Sequence, residues 1–174
     1  MKKCVLIWFA AFALLVSGIG CANKKHQISI GGADYFEYSG VPWGSTPEEV
    51  KKALSVDFDG EVKDSNSRTI YFVDDCFTVN ALKMTACFSF GEDGLDVVTF
   101  KYADEKDGMD GLLDYLYAEL SGEFGEPTIP LENRQLYIWE KSSGKNSTRL
   151  QLSKTFGPES KIVPELILTV GLID

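Results

Sequence analysis

Residues 83–102 contain the pattern that most limits what this chain can fold into. Over residues 83–90 apolar and polar side chains alternate, and the apolar ones that share a face are Met84, Ala86, Phe88 and Phe90. The turn sequence Glu92-Asp93-Gly94 follows, and alternation resumes over residues 95–102. Because residues 68–79 are also rich in β-branched and aromatic types, we predict an antiparallel meander of three strands.

A helix start precedes this meander at Thr46-Pro47-Glu48-Glu49. Thr46 is a suitable N-cap, Pro47 fits the first helical position because its missing N–H costs nothing there, and Glu49 completes a capping box. The apolar face of this short helix is predicted to consist of Val50, Ala53 and Leu54.

A second, longer helix is predicted after the meander. Its apolar residues recur at helical spacing and are Met109, Leu112, Leu113, Leu116, Leu120 and Phe124. Gly125 is a suitable stop, with Pro127 just beyond it. Three more strands are expected over residues 135–140, 147–154 and 165–173.

The predicted order is one helix with three strands, then a second helix with three strands. We expect an α+β fold in which both helices cover one face of an antiparallel sheet. The segments at about 46–102 and 108–173 suggest a tandem helix–three-strand repeat, although the two segments share no evident sequence identity.

The first 20 residues have the composition of an export signal rather than of a folded element. Lys2 and Lys3 precede an apolar run, and small residues lead to Cys21. Ile19-Gly20-Cys21 resembles the processing site of bacterial lipoproteins, in which the cysteine carries fatty acyl chains such as palmitate. The resemblance implies a signal peptide at residues 1–20, lipidation of Cys21 and an anchor in a membrane of the cell envelope.

Two other fates of this segment remain open. Cleavage after Ala22 would discard Cys21 and release a secreted protein. An uncleaved anchor over residues 4–22 would be near the lower length limit for a membrane span, about 17–20 residues. With the lipoprotein signal, residues 21–34 form the lipidated cysteine and a polar tether, and residues 35–174 form a single α+β domain.

The charge of the chain argues against several classes of partner. Without the first 20 residues, 15 Lys and Arg stand against 26 Asp and Glu, a net charge of −11. Nucleic acids and anionic lipids require basic patches, so we expect neither as a partner. Membrane contact is then expected only through the N-terminal lipid, and the charge is compatible with a basic protein partner or with solubility alone.

Two cysteines fall in the predicted domain, Cys76 and Cys87. A hairpin that turns through Asn80-Ala81-Leu82-Lys83 would place them directly across from each other, and export favours their oxidation. We therefore predict a Cys76–Cys87 disulfide, which the chain-entropy estimate makes stabilising by about 3 kcal/mol. A redox pair is the less favoured alternative, since the Cys-x-x-Cys spacing is absent.

The chain has one histidine, His26, and it lies in the predicted tether. The predicted domain therefore has no histidine to supply to a catalytic Ser-His-Asp or Cys-His site or to a common zinc site. We predict no catalytic residues, no metal site and no cofactor, so the protein is not expected to be an enzyme.

Two groups of carboxylates have weaker patterns. Asp104, Asp107 and Asp110 resemble a calcium loop, but the ligand register of such a loop is not met, and a solvated loop is favoured. Asp74-Asp75 could serve glycoside chemistry only if a bulge turned both side chains to one face. A solvated strand end is the favoured interpretation of this pair.

Aromatic residues are the remaining candidates for a binding surface. Six of them cannot all be interior: Tyr71, Tyr102, Tyr115, Tyr117, Tyr137 and Trp139. Tyr115 and Tyr117 fall on opposite sides of the second helix, so one is expected to face away from the sheet. Exposed Tyr and Trp are typical of protein contacts, whereas Trp43 is predicted to fill the core beneath the first helix.

Several short motifs resemble those of exported proteins. Residues 44–50 resemble the helix-opening Gly-x-Thr-x-x-x-Val motif of the small outer-membrane lipoproteins SmpA/OmlA, which are accessory subunits of outer-membrane protein assembly. That family's Leu-Gly-x-Pro ending is absent after Leu54, but Phe124-Gly125-Glu126-Pro127 resembles it. The tandem layout is similar to the β-lactamase-inhibitor-protein fold, and Trp43-Gly44-Ser45 with Trp139 resembles a family of uncharacterised bacterial exported proteins. No functional residue carries over from these resemblances.

These observations predict a non-catalytic envelope lipoprotein that acts through contact with another envelope protein, as an accessory or inhibitor-like module. Binding of a small molecule or glycan in a cleft beside the sheet is the alternative. An enzyme that uses carboxylates alone, such as a glycosidase, is a third hypothesis.

Overall fold

The structure is a computed structural model that describes residues 26–27, 30–32, 34–79, 82–103, 108–131, 135–143, 146–155 and 165–173. The elements in chain order are β1 (His26–Gln27), β2 (Ile30–Gly31), β3 (Glu37–Tyr38), α1 (Pro47–Leu54), β4 (Gly60–Lys63), β5 (Thr69–Val79), β6 (Leu82–Gly91), β7 (Gly94–Ala103), α2 (Gly108–Phe124), β8 (Ile129–Leu131), β9 (Leu136–Ser143), β10 (Asn146–Thr155) and β11 (Glu165–Leu172). The predicted export signal and Cys21 lie outside the described residues. Within the ranges given, no helix is both long enough and apolar enough to cross a bilayer.

Nine of the described strands form one sheet. Strands β5, β6, β7, β11, β10, β9 and β8 follow one another across it, and β1 and β4 both pair with the remaining side of β5. The contact of β1 with β5 is parallel, and the other pairings in the sheet are antiparallel. With the two helices found among the described residues, this sheet gives the α+β fold that the sequence predicts.

The strand order contains the expected tandem repeat, in a longer form. In the first half α1 is followed by β4, β5, β6 and β7, and in the second half α2 is followed by β8, β9, β10 and β11. The halves meet at the antiparallel pair β7–β11, and each runs outward from there in the same order. Each repeat therefore has four strands. The sequence predicts only three in each, because its pattern does not reveal the short outer strands β4 and β8.

One face of the sheet forms the core. Phe88, Val98, Val170 and Leu150 lie side by side on four neighbouring strands, and all four are fully buried. The same buried cluster contains Val50 and Leu54 of α1, and from α2 it contains Met109, Leu112, Leu113, Leu116 and Leu120. Both helices thus cover the same face of the sheet, as predicted from their apolar spacing.

The two helix starts and stops follow the local signals in the sequence. The backbone N–H of Thr46 donates to Glu49 Oε2 at 2.8 Å, and the Glu49 N–H donates to Thr46 Oγ1 at 3.4 Å, which completes the predicted capping box. Gly125 ends α2 with a φ of +82° and donates its N–H to the Ser121 carbonyl. Ala53 is exposed, so it does not belong to the apolar face of α1 as predicted.

The segment before residue 35 contributes to the fold. Strand β1 pairs with β5, and β2 pairs with β3. Ile30 is buried within the same core cluster as the helices. Described residues within the stretch that the sequence assigns to a polar tether therefore belong to the fold.

Candidate functional site

A cleft of about 920 Å³ lies beside the first helix. Three segments that are distant in sequence form it, namely residues 35–47, residues 66–71 and the β6–β7 turn at residues 90–96, with Leu172 at its margin. The volume lies within the range of about 300–1,000 Å³ that ligand pockets occupy. We call this feature the cleft.

Backbone hydrogen bonds hold two walls of the cleft together. The Gly44 N–H donates to the Leu95 carbonyl at 2.8 Å, and the Leu95 N–H donates to the Ser45 carbonyl at 2.9 Å. Gly94 has a φ of +103°, and a Cβ there would lie 2.3 Å from the Gly44 carbonyl oxygen. The loop before α1 can approach the β6–β7 turn this closely only because residue 94 has no side chain.

Trp43 connects the cleft to the core. Its ring is partly buried: it packs against the buried cluster but also lines the cleft, so it does not fill the core as the sequence predicts, and its Nε1–H donates to the Phe36 carbonyl at 2.9 Å. The Phe36 N–H in turn donates to Thr148 Oγ1, which is fully buried in β10. These bonds fix the position of the Trp43 ring in the cleft wall, since its polar atom has a partner within the protein.

One ion pair lies in the lining of the cleft. Arg68 Nη2 is 3.2 Å from Asp96 Oδ2, and the Asp96 side chain is only 18% exposed. A Cβ at Gly91 would lie 2.9 Å from Asp96 Oδ2, so the small residue there leaves room for this carboxylate. The Arg68 N–H also donates to Asp64 Oδ1, which shapes the turn that presents the guanidinium.

Two tyrosines in the lining keep their hydroxyl protons at neutral pH. A hydrogen bond to Glu37 raises the pKa of Tyr35 above its usual value. Burial raises the pKa of Tyr71, and a hydrogen bond to Glu61 raises it further. Tyr71 also stacks on Phe58 at 4.6 Å between ring centroids, so one side of its ring is covered.

The lining is acidic. It contains four carboxylates, Glu37, Glu92, Asp93 and Asp96, against the single guanidinium of Arg68. Glu92 and Asp93 are exposed at the tip of the β6–β7 turn, and the ion pairs recorded for the described residues involve neither of them. Carboxylates beside aromatic rings can bind a cationic or hydroxyl-rich group, the rings by their faces and the carboxylates by charge or hydrogen bonds.

The predicted cysteine pair is not aligned as expected. In the observed register Cys87 lies opposite Phe72 on β5 and Thr99 on β7. Next to the turn Val79 pairs with Leu82 and Phe77 with Met84, a register that already departs from the direct Cys76–Cys87 alignment predicted by the hairpin geometry, and the shift between Val73 and Phe77 moves Cys87 further along β5. The Cys76 side chain lies outside the described part of the chain, so the disulfide stays a prediction.

The bulge that a shared site at Asp74-Asp75 would need is present, at the same register shift. Each carboxylate nevertheless has its own partner. Asp74 Oδ1 accepts from Thr85 Oγ1 at 2.9 Å, and Asp75 Oδ2 lies 3.3 Å from Lys83 Nζ. Both aspartates are exposed, which agrees with a solvated strand rather than with a joint site.

The calcium-like loop cannot be compared with the structure, since Asp104 and Asp107 lie outside the described residues. Across the ranges that are described, no three His, Cys, Asp or Glu side chains group closely enough to hold a metal ion.

The aromatic residues divide as expected between core and surface. Tyr115 is 39% exposed on α2, whereas Tyr117 lies against Tyr137 with 4.6 Å between ring centroids. Trp139 is buried and its Nε1–H donates to the Gly125 carbonyl at 2.8 Å. This second aromatic group connects the end of α2 to β9, and the Tyr117 hydroxyl donates to Glu126 Oε2 at 3.0 Å within the fold.

The sequence did not single out Arg68, Asp96 or Gly91 as site residues. Arg68 immediately precedes β5 and Asp96 lies on β7, so the two are brought together only by the β5–β6–β7 pairing. Among the lining residues the sequence points to Tyr71, as an aromatic candidate for a binding surface, and to Glu92-Asp93-Gly94, as a hairpin turn. Searches of the chain against protein-family models, curated proteins and solved structures find no match.

Proposed function

We propose that this protein is a non-catalytic module of the bacterial cell envelope, anchored through a lipid on Cys21, that binds another envelope protein in the cleft. The observation that carries this proposal is the cleft itself, a preformed concavity with aromatic and charged lining. Secretion without an anchor is the alternative for its location.

The construction of the cleft supports a binding role. The hydrogen bonds between Gly44, Ser45 and Leu95 hold its walls, and Trp43 is fixed by its bond to the Phe36 carbonyl. A site that is already formed loses little conformational entropy when a ligand enters. The lining therefore favours recognition of one shape over adaptation to many.

The charge of the cleft supports a basic partner. Glu92 and Asp93 project at its rim, and the single cation in the lining is already paired with Asp96. The whole chain has a net charge of −9, which would raise the association rate of a positively charged segment and repel an acidic one. A basic segment of an envelope protein is the occupant with the best charge match.

A cross-linking experiment with charge-reversed variants tests this proposal. Tagged full-length protein is purified from cross-linked membranes of its host as wild type, as Glu92→Lys/Asp93→Lys, and as the matched control Asp114→Lys/Glu119→Lys on the exposed side of α2. We expect the same partner to accompany the wild type and the control, and its recovery to fall at least five-fold with the rim variant. Equal recovery with the rim variant would show that the cleft is not the binding surface.

Binding of a small molecule or glycan is the second candidate, and the volume of the cleft favours it. Tyr35, Trp43 and Tyr71 offer the aromatic surfaces and hydroxyl groups that sugar rings commonly contact. A thermal-shift screen with soluble cell-wall oligosaccharides tests this candidate. A stabilisation that Tyr35→Ala abolishes and Tyr115→Ala preserves would support it, and the absence of any shift would count against it.

A further inference from the structure

Strand β4 is a sheet edge with an exposed apolar centre. Within the described chain its strand partner is β5. Val62, the middle residue of Gly60-Glu61-Val62-Lys63, is 52% exposed, the highest value among the large apolar side chains described. An uncovered edge with an exposed β-branched residue is a template for another strand.

The pairing of β4 with β5 shows which backbone groups the edge presents. The Asp64 N–H donates to the Arg68 carbonyl, and Val62 lies opposite Ile70 in the same register. Since hydrogen-bonded pairs alternate along an antiparallel ladder, the N–H and C=O groups of Val62 point toward β5. Those of Glu61 and Lys63 therefore point outward from the sheet.

The side chains of Glu61 and Lys63, the two residues whose backbone groups point outward, are complementary in charge between two copies of β4. If two copies of β4 pair antiparallel about a two-fold axis through Val62, Glu61 of one copy lies opposite Lys63 of the other, and each such pair exchanges two backbone hydrogen bonds. Glu61 and Lys63 lie opposite Tyr71 and Thr69, so both project to the same face of the sheet. Opposite charges then meet on both sides of the axis, while the two Val62 side chains meet on the other face.

We propose that β4 is the dimerisation edge of this protein, and that its occupant is the β4 strand of a second copy in antiparallel register. Four backbone hydrogen bonds, two Glu61–Lys63 pairs and one Val62–Val62 contact would hold the dimer. A strand of four residues buries far less than the roughly 1,200 Å² of a stable interface, so the dimer is weak and forms where copies are concentrated. This proposal is independent of what binds in the cleft.

Site-directed disulfide trapping tests the register. In a non-hydrogen-bonded antiparallel pair the Cβ atoms are close enough for a disulfide, so Val62→Cys in the full-length protein should cross-link between copies in membranes under mild oxidation. The matched controls are the wild type, which has the native cysteines, and Ala118→Cys on the exposed side of α2. We expect the Val62→Cys dimer to exceed both controls at least five-fold on non-reducing gels.

Charge exchange then tests the pairing of Glu61 with Lys63. In the Val62→Cys background, Lys63→Glu places like charges opposite each other and should lower the dimer yield at least five-fold, whereas Glu61→Lys/Lys63→Glu should restore at least half of it. Unchanged urea midpoints for these surface variants exclude unfolding as the cause. A yield at the level of Ala118→Cys, no response to Lys63→Glu, or no recovery in the exchanged variant would each overturn the proposal.

Discussion

The two halves of the molecule have the same order of elements but cover their parts of the sheet differently. Helix α1 has 8 residues and buries Val50 and Leu54, whereas α2 has 17 residues and buries five apolar side chains. In the first half the remaining cover comes from the segment before α1, which buries Tyr38 and Val41 and places the Tyr38 ring against Phe77, Phe88 and Phe100. A long helix closes its half of the sheet, and a loop with a short helix leaves a cleft.

A pair of glycines shows the same difference at the level of single residues. Gly94 and Gly125 both have a positive φ. A Cβ at Gly94 would meet backbone atoms of Gly44 and Ser45, whereas a Cβ at Gly125 would meet nothing within 4 Å. The first half therefore depends on a close backbone approach that builds the cleft, and the second half uses its glycine only to end a helix.

The largest expected effect tests whether α2 carries the stability of the domain. Leu116 is 5% exposed on the buried side of α2, so Leu116→Asp places an unpaired charge in the core. We expect a loss of about 4 kcal/mol or more, which is comparable to the whole stability of a domain of this size. Urea unfolding followed by tryptophan fluorescence measures the loss.

The control for this prediction is Ala118→Asp, at an exposed position of the same helix. It should change the free energy of unfolding by no more than about 0.5 kcal/mol. A Leu116→Asp protein as stable as Ala118→Asp would mean that α2 does not cover the core, and the contrast between the halves would fail.

An intermediate effect is expected from the two glycines. Gly94→Ala should lower the free energy of unfolding by about 3 kcal/mol, because strain at positive φ adds to a clash with backbone that cannot move aside. Gly125→Ala should cost only about 1 kcal/mol, since it meets open space. The same urea experiment compares them, and equal losses would mean that the Gly44–Gly94 approach is not a constraint on the first half.

The main elements of the fold were predictable because their signals are local. Alternation over residues 83–102 depends only on which side of a strand each residue faces, and the capping box needs only Thr46 and Glu49. Strands β4 and β8 were missed because they are short and lie at the sheet edges. Glu61, Val62 and Lys63 are all exposed, so β4 does not show the alternation of burial that marks a half-buried strand, and β8 has only 3 residues.

The cleft could not be predicted from the same signals. Its lining comes from three separate stretches, and the Arg68–Asp96 pair forms only after β5, β6 and β7 are aligned. The expected position of Cys76 opposite Cys87 failed for a related reason, since the Val79–Leu82 pairing next to the turn and the register shift after Val73 are both set by strand pairing and are not marked by any residue type. Strand register and the packing of loops depend on tertiary contacts, whereas strand alternation, helical spacing and helix caps depend on residues that are close in sequence.

The smallest expected effect concerns the start of α1, where Thr46 and Glu49 form a capping box. The hydrogen bond from the Thr46 backbone N–H, and then that from its hydroxyl, lowers the pKa of Glu49 below its usual value. A carboxyl whose pKa is lower in the folded state stabilises the fold above its unfolded pKa, near 4.3, and this contribution is lost as pH falls through the folded value.

Glu49→Gln isolates that contribution, because the amide oxygen can still accept from the Thr46 N–H but carries no charge to titrate. We expect the wild type to be more stable than the variant at neutral pH, and the difference to shrink as pH falls below about 4. Urea midpoints measured for both proteins between neutral and acidic pH report it. A difference that stayed constant or grew on acidification would mean that the Glu49 charge does not stabilise α1, and that the short helix relies on its two buried residues alone.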